Sequence, residues 1–315
     1  MTAAVEQRPV RGTGLRLPSV GLGTAGLGGL YTSVPDAEAH AVVRHALETG
    51  VRYVDTAPQY GHGTAERRIG EALAGIERDG FVLSTKVGRL IVPRPDGDTG
   101  IFADAPPSDA VFDFSRDGIL RSLEASLERL GLDRVDAVLI HDPDDHEDQA
   151  LGEAFPALAE LRAEGVVRAI GAGMNQTRVL ERFVRETDVD LVLVANRYTL
   201  LDRSAAASLL PACAERDVAV VVGGVFNSGI LADLGPGAHY GYAPASEEIL
   251  GRARALAATC ERHGVPLRAA ALQFPSRHPA VTSTLVGARS VAEFDDCLTQ
   301  LRSDIPEDLW KELDA

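Results

Sequence analysis

Apolar positions along the chain fall into two alternating patterns. Short runs rich in valine, leucine and isoleucine, such as 51–54 and 135–140, are followed by longer stretches in which apolar residues recur every three or four positions. The first kind reads as buried strands and the second as helices with one face on a core. From Pro35, for instance, Asp36 and Glu38 stand in a first turn, Val42, Val43, Ala46 and Leu47 form an apolar face, and Gly50 follows the end. The unit recurs: Leu120, Leu123, Leu127 and Leu130 lead to Gly131, and Leu158 and Leu161 lead to Gly165. The pattern predicts strands near 20–24, 51–55, 81–85, 135–140, 167–171, 190–195, 218–222 and 282–286. It predicts helices near 35–49, 64–75, 116–130, 149–164, 176–186, 203–215, 246–263 and 290–299. Strands alternating with helices make an α/β protein. Eight of each make a single (β/α)8 TIM barrel over 1–315, for which roughly 250 residues suffice.

Two stretches break the rhythm. Residues 87–115 hold Pro93, Pro95, Pro106, Pro107, Gly97 and Gly100 after strand 3, and 223–244 follow strand 7. Both are far longer than the usual βα connection. In a barrel such loops lie at the C-terminal ends of the strands and build the site, so the first is expected as a lid or pocket wall and the second over a bound ligand. Near the start, Gly21, Gly23 and Gly26 match the spacing of a dinucleotide fingerprint. That motif needs a helix at the second glycine, and Leu27-Gly28-Gly29-Leu30-Tyr31 is a poor helix start, so the Rossmann reading is set aside.

Composition narrows the function. Apolar residues at 45% and charged residues at 24% are those of a soluble globular chain. With 31 basic against 46 acidic side chains the formal charge is −15, which disfavours nucleic acid and anionic membrane surfaces as partners. Cys213, Cys260 and Cys297 are odd in number and far apart, so reduced buried thiols are expected rather than disulfides. Residues 1–18 lack the apolar core of a signal peptide, and no run approaches a membrane span. The expected location is cytoplasmic, as a monomer or homodimer.

Three predicted strands end in ionisable groups. Asp55 follows 51–54, with Tyr60 five residues on; Lys86 follows 81–85; His141 follows 135–140. Each alone reads as a cap, a packing ring or a solvated charge, but ends of barrel strands are where catalytic groups stand. An unperturbed phenol titrates near pH ~10, and bringing it close to neutrality takes about three pH units, roughly 4 kcal/mol. One ammonium about 4 Å away, at an effective dielectric of about 20, supplies about that much, which predicts Lys86 beside Tyr60. Asp55 then holds Lys86 protonated, and His141 hydrogen-bonds the reacting oxygen. A metal site in the acidic run from His141 to His146 is not expected, because dedicated zinc sites use Cys/His spacings absent here.

Asp55, Tyr60, Lys86 and His141, in that order from successive strand ends, resemble the tetrad of the aldo-keto reductases. The resemblance runs from about 17 to 310. It implies a nicotinamide cofactor held by Gly23, Thr24 and Asp55, by Asn175 of Gly171-Ala172-Gly173-Met174-Asn175, and by Gly224, Phe226, Asn227, Ser228, Gly229 and Leu231 after strand 7. Gly287, Arg289 and Glu293 at the last helix complete the set. The family's second carboxamide ligand, a glutamine on strand 6, falls on Ala195, leaving Asn196 or Arg197 to replace it. NADP-preferring members carry a further basic residue in the last helix; Glu293 stands there, which points to NAD over NADP.

Within the family, Leu27–Tyr31, Ser84–Leu90, His141–His146, Arg197–Asp202 and Val225–Gly229 resemble the dehydrogenases of L-fucose, D-threo-aldoses, L-galactose and pyridoxal. The tryptophan that many members carry after the lysine is absent, which implies a polar pocket. Tyr31, His62, Arg89, Asp142, Tyr198 and Asn227 are the residues expected at the substrate. The implied activity is oxidation of an aldose C1 hydroxyl to the lactone with NAD(P). A pyridoxal dehydrogenase or general aldehyde reductase is the alternative, and a low-turnover regulatory subunit that binds cofactor is a further one.

Overall fold

The computed structural model of the chain describes residues 6–314; residues 1–5 of the leader and residue 315 lie outside the described residues. Eight parallel strands close into a barrel: β1 (Val20–Gly23), β2 (Tyr53–Asp55), β3 (Val82–Val87), β4 (Ala137–His141), β5 (Ala169–Met174), β6 (Leu191–Ala195), β7 (Ala219–Gly223) and β8 (Val281–Gly287). Each pairs with its sequence neighbour, and β8 returns to β1 through Val286 opposite Leu22 and Gly287 opposite Gly23. This is the (β/α)8 barrel that the alternation predicts.

Side chains alternate across each strand. Val54, Leu83, Val138, Ile140, Val192, Val194, Val220 and Val222 face outward into the layer shared with the helices. Tyr53, Ala137, Leu139, Leu191, Leu193, Val221 and Leu285 face inward. Two residues beyond an inward residue is inward again, so Asp55 follows Tyr53 and His141 follows Leu139 into the barrel mouth. Lys86 shares that direction with Ser84. The outer layer is formed by α1 (Asp36–Glu48), α2 (Thr64–Leu73), α3 (Arg116–Leu130), α4 (Phe155–Ala163), α5 (Thr177–Glu186), α6 (Leu209–Arg216), α7 (Glu247–Arg262), α8 (Leu267–Gln273), α9 (Val291–Gln300) and α10 (Glu307–Asp314).

Four details depart from the sequence expectation. Ahead of the first barrel strand, which starts at Val20, Leu15–Pro18 pairs with Gln7–Val10 in an antiparallel hairpin that the pattern does not predict. Val10, Leu15 and Leu17 plug the barrel interior, while Arg8 Nη1 donates to Val281 O (2.6 Å) and Arg168 Nη2 to Gly14 O (2.7 Å). The N-terminal end of the barrel is thereby covered, and the site lies at the other end. The helix expected from 203 forms only at Leu209, because Pro211 lacks an N–H and fits only a first turn. The helix expected from 149 opens as a wide π-helical stretch, Ala150–Ala154, ahead of Pro156. The first long loop folds on itself as a hairpin, Arg89–Pro93 with Ser108–Phe112. Among the described residues no helix is long and apolar enough to cross a membrane.

Candidate active site

Register places the charged strand ends on one rim. Asp55 lies opposite Gly23 on β1 and Ser84 on β3, Lys86 opposite Leu139, and His141 opposite Gly173. Tyr60 arrives from the turn after β2, and that turn is seated by glycines. A Cβ on Gly28 would stand 2.6 Å from the Tyr60 carbonyl carbon, and one on Gly61 (φ 62°) 2.3 Å from Gly28 O. Gly28, in the stretch that denies a dinucleotide helix, and Gly61 therefore let two backbones touch behind Tyr60.

Three members of the expected tetrad meet directly. Lys86 Nζ donates to Asp55 Oδ2 (2.7 Å), Thr56 O (2.9 Å) and Tyr60 Oη (3.0 Å), which spends all three of its protons. Ser84 Oγ donates to the other Asp55 oxygen at 2.7 Å, and Tyr53 Oη lies 3.1 Å from Ser84 Oγ. Lys86 and Asp55 are each 1% exposed. The His141 ring stands edge-on to Tyr60 with centroids 6.0 Å apart.

The charge states differ from the sequence expectation at one member. Burial pushes the Tyr60 phenol up, and although Lys86 pulls it back, the Asp55 carboxylate opposes Lys86, so the hydroxyl ends at about 12. The balance struck from one ammonium left out both desolvation and the carboxylate. Burial works against the Lys86 ammonium, but Asp55 and Tyr60 outweigh it and its pKa is raised. Burial, with Arg89 and Lys86 nearby, holds His141 well below the ordinary imidazole range. The resting site is thus a neutral phenol, an ammonium, and a neutral imidazole whose buried Nδ1 has no partner among the described residues.

Around this centre the expected cofactor residues form an arc. Thr24 Oγ1 donates to Asp55 O (2.9 Å) and so braces the acid's backbone. Asn196, at the end of β6, donates through Nδ2 to Asn175 Oδ1 and to Tyr242 Oη, both at 3.3 Å, while its buried Oδ1 has no partner among the described residues. Gly224 (φ 62°) lies against that amide: a Cβ there would meet Asn196 Oδ1 at 2.5 Å. Ser228 Oγ accepts from Tyr242 N (3.0 Å), Leu231 N donates to Phe226 O (3.1 Å), and Gly229 has φ 105°. At α9, Arg289 Nη2 donates to Glu293 Oε1 (2.8 Å), and Glu293 Oε2 accepts from Arg289 N (2.9 Å). Glu38 Oε1 accepts from Val291 N (3.1 Å), so two carboxylates already hold N–H groups at this helix start, just past Gly287.

Several expected substrate contacts are placed elsewhere. Tyr198 is buried against Phe274 and His278, with ring centroids 5.0 and 5.7 Å away, because the chain after β6 turns outward onto the helical layer. Asn227 is fully buried, its amide used by Thr199 Oγ1 (2.5 Å) and Asn196 O (3.0 Å); it holds the loop and faces neither cofactor nor substrate. His62 stays near the site, sharing Phe102 with Tyr60, but its Nδ1 is engaged by Ser108 Oγ at 2.9 Å. Tyr31 stacks on His239 at 4.9 Å at the rim. Arg89 and Asp142 do stand at the mouth, paired at 2.5 Å beside His141. Among the described residues no three His, Cys, Asp or Glu side chains converge as a metal site.

Tyr242 is the residue that the sequence reading missed. It sits with Gly241 in the two-residue turn of a small hairpin, His239–Tyr240 with Ala243–Pro244, where both have positive φ (59° and 69°). Such a turn ordinarily takes Asn-Gly, and a bulky residue there is a strained outlier. A Gly-Tyr dipeptide inside a long loop carries no periodic signal.

The comparisons with known proteins agree with this geometry. The family model described as "Aldo/keto reductase family" matches residues 19–315. A D-threo-aldose 1-dehydrogenase from Pseudomonas sp is 45% identical over 309 residues, covering 95% of this chain and 94% of its own length. A pyridoxal 4-dehydrogenase from Microbacterium luteolum is 39% identical over 334 residues, covering 98% and 97%. The solved holo form of an aldo-keto reductase from Bacillus halodurans has a TM-score of 0.77 at 23% identity, over 98% of this chain and 95% of its own, a likeness of fold. The chain belongs to the aldo/keto reductase family and is an NAD(P)-dependent oxidoreductase.

Proposed function

We propose that the protein oxidises the C1 hydroxyl of a free aldose, of the L-fucose, D-threo-aldose or L-galactose type, to the lactone. The observation that carries this reading is the buried contact of Lys86 with Tyr60 at 3.0 Å and with Asp55 at 2.7 Å, at the rim beside His141. The 45% identity to a D-threo-aldose 1-dehydrogenase supports the choice of substrate class.

The residues present fit a nicotinamide dinucleotide. A primary carboxamide brings both donors and an acceptor, which suits the unpartnered Asn196 Oδ1 and its neighbour Asn175. Gly224, Phe226, Ser228, Gly229 and Leu231 would carry the pyrophosphate side, and Gly287 and Arg289 the adenosine side. When bound, the nicotinamide supplies the acceptor for the hydride leaving C1. Tyr60, as phenolate, takes the hydroxyl proton in oxidation and, as phenol, returns it in reduction. Lys86, held by Asp55, stabilises the phenolate from which oxidation starts and with which reduction ends. His141, neutral, orients the reacting oxygen by a hydrogen bond.

The α9 terminus favours NAD. Although burial works against it, Arg289 holds the Glu293 carboxyl below its ordinary range, and the family resemblance puts that charge beside a 2′-phosphate. The Tyr242 hydroxyl accepts from Asn196 Nδ2 and so competes with the carboxamide for that donor. The buried free thiols of Cys213, Cys260 and Cys297 suit a reducing, cytoplasmic setting.

A second reading, pyridoxal 4-dehydrogenase, is favoured by the 39% relative. L-fucose, D-arabinose, L-galactose, pyridoxal and an aromatic aldehyde, each assayed with both cofactors at the nicotinamide absorbance, separate the two. Turnover of the aldoses with NAD is expected; turnover of pyridoxal alone would replace the aldose reading. A regulatory subunit would bind cofactor and turn over none of them, against which the assembled tetrad speaks.

A further inference from the structure

One half-buried ion pair at the barrel mouth has no part in the proton chemistry assigned above. Asp142 follows His141 with φ 43°, a left-handed conformation uncommon for a residue with a side chain, and its N–H donates to Gly173 O at 3.1 Å. Its carboxylate stands beside the imidazole: Oδ2 lies 3.6 Å from His141 Nε2 and accepts from Arg89 Nη2 at 2.5 Å. Arg89 opens the lid hairpin, its guanidinium 4.6 Å from the Phe112 ring centre, and its buried Nε has no partner among the described residues. Asp144 Oδ1, two residues beyond Asp142, is likewise buried and unpartnered.

A buried ion pair contributes little net stability, and a strained backbone lowers it further. What the arrangement does provide is an acceptor and an unspent donor, fixed side by side next to the nitrogen that meets the reacting oxygen. The two charges cancel, so the spot does not attract a phosphate or carboxylate group. A hydroxyl, which is donor and acceptor at once, satisfies both sides.

The geometry points to Asp142 and Arg89 as the specificity-determining pair, reading the hydroxyl on the carbon next to the one that loses hydride. That hydroxyl donates to Asp142 Oδ2 and accepts from Arg89. This rests on the aldose reading: in a sugar the neighbouring oxygen stands about one hydrogen-bond length from the reacting one, the same scale as the offset between His141 Nε2 and Asp142 Oδ2. A methylene in its place leaves a half-buried carboxylate and a guanidinium edge unmet, and sites built to bind a hydroxyl reject such analogues strongly.

The test compares kcat/KM for L-fucose and 2-deoxy-L-fucose with NAD in the wild type, Asp142→Asn and Arg89→Met. The wild type is expected to prefer L-fucose by about tenfold to a hundredfold, the range of a charged hydrogen bond. In both variants the preference should shrink to within about threefold, through loss of rate on L-fucose rather than gain on the analogue. The ratio within one variant does not depend on how much of it folds. Where a variant turns over neither sugar, their relative affinities, read from the fluorescence of bound NADH, carry the same comparison. An equal loss on both sugars overturns the proposal, since a pair that only braces the hairpin would give that result. A wild type active on L-fucose without discrimination overturns it and leaves the aldose reading standing. A wild type inactive on every aldose overturns both.

Discussion

Lys86 Nζ stands 3.0 Å from Tyr60 Oη, and its remaining two protons go to Asp55 Oδ2 and Thr56 O. The amine thus has no proton left for a substrate. Its part is to hold charge beside the phenol, and the carboxylate that fixes it also weakens that charge.

Lys86→Met leaves the Asp55 carboxylate, 1% exposed, without its cation. Breaking one side of a buried pair is expected to cost about 3–5 kcal/mol, whereas removing both charges is far milder. Urea unfolding should show a large loss for Lys86→Met and a substantial recovery in Asp55→Asn/Lys86→Met. Equal losses in the single and double variants would mean that the pair is not the buried contact described.

The pH dependence should be asymmetric. With Tyr60 at about 12, oxidation draws on a small phenolate fraction that grows with pH, while reduction uses the phenol already present. Aldose oxidation is therefore expected to rise from about pH 7 to about pH 10, with reduction nearly level over the same range. Oxidation that is flat over that interval would place the proton acceptor elsewhere.

Glu293→Gln removes the carboxylate that engages Arg289 N and Nη2. The NADP to NAD ratio of kcat/KM should rise about tenfold, on the scale of one charged hydrogen bond gained by the phosphate. An unchanged ratio would show that the 2′ position lies away from this helix start.

Tyr242→Phe deletes the hydroxyl that occupies Asn196. NAD should then bind about twofold to tenfold more tightly, because one hydrogen bond no longer has to be exchanged. Unchanged NAD affinity together with a raised aldose KM would instead make Tyr242 a wall of the substrate pocket.

The barrel and the inward direction of Asp55, Lys86 and His141 were legible because both rest on periodicity, whereas Tyr60, in the turn after β2, was legible only from the likeness to the family. Strand alternation turns Tyr53, Asp55, Leu139 and His141 inward together, whatever the loops do. Tyr198 and Asn227 were misplaced because they stand on long connections whose course is set by tertiary packing, by Phe274 and His278 for one and Thr199 for the other. The N-terminal hairpin escaped because only Val10 of Gln7–Val10 is buried and Leu15–Pro18 runs almost directly into the barrel strand at Val20. The phenol's charge state was misjudged because burial is a property of the folded neighbourhood, and attraction to Lys86 was weighed without it.

The account stands most directly on Tyr60→Phe, assayed for aldose oxidation with NAD alongside NAD affinity. Loss of the proton acceptor should lower kcat by about two to four orders of magnitude while the NAD dissociation constant stays within about twofold. A variant that keeps turning over within a few-fold of the wild type would contradict the assignment of Tyr60 as the group that exchanges the proton.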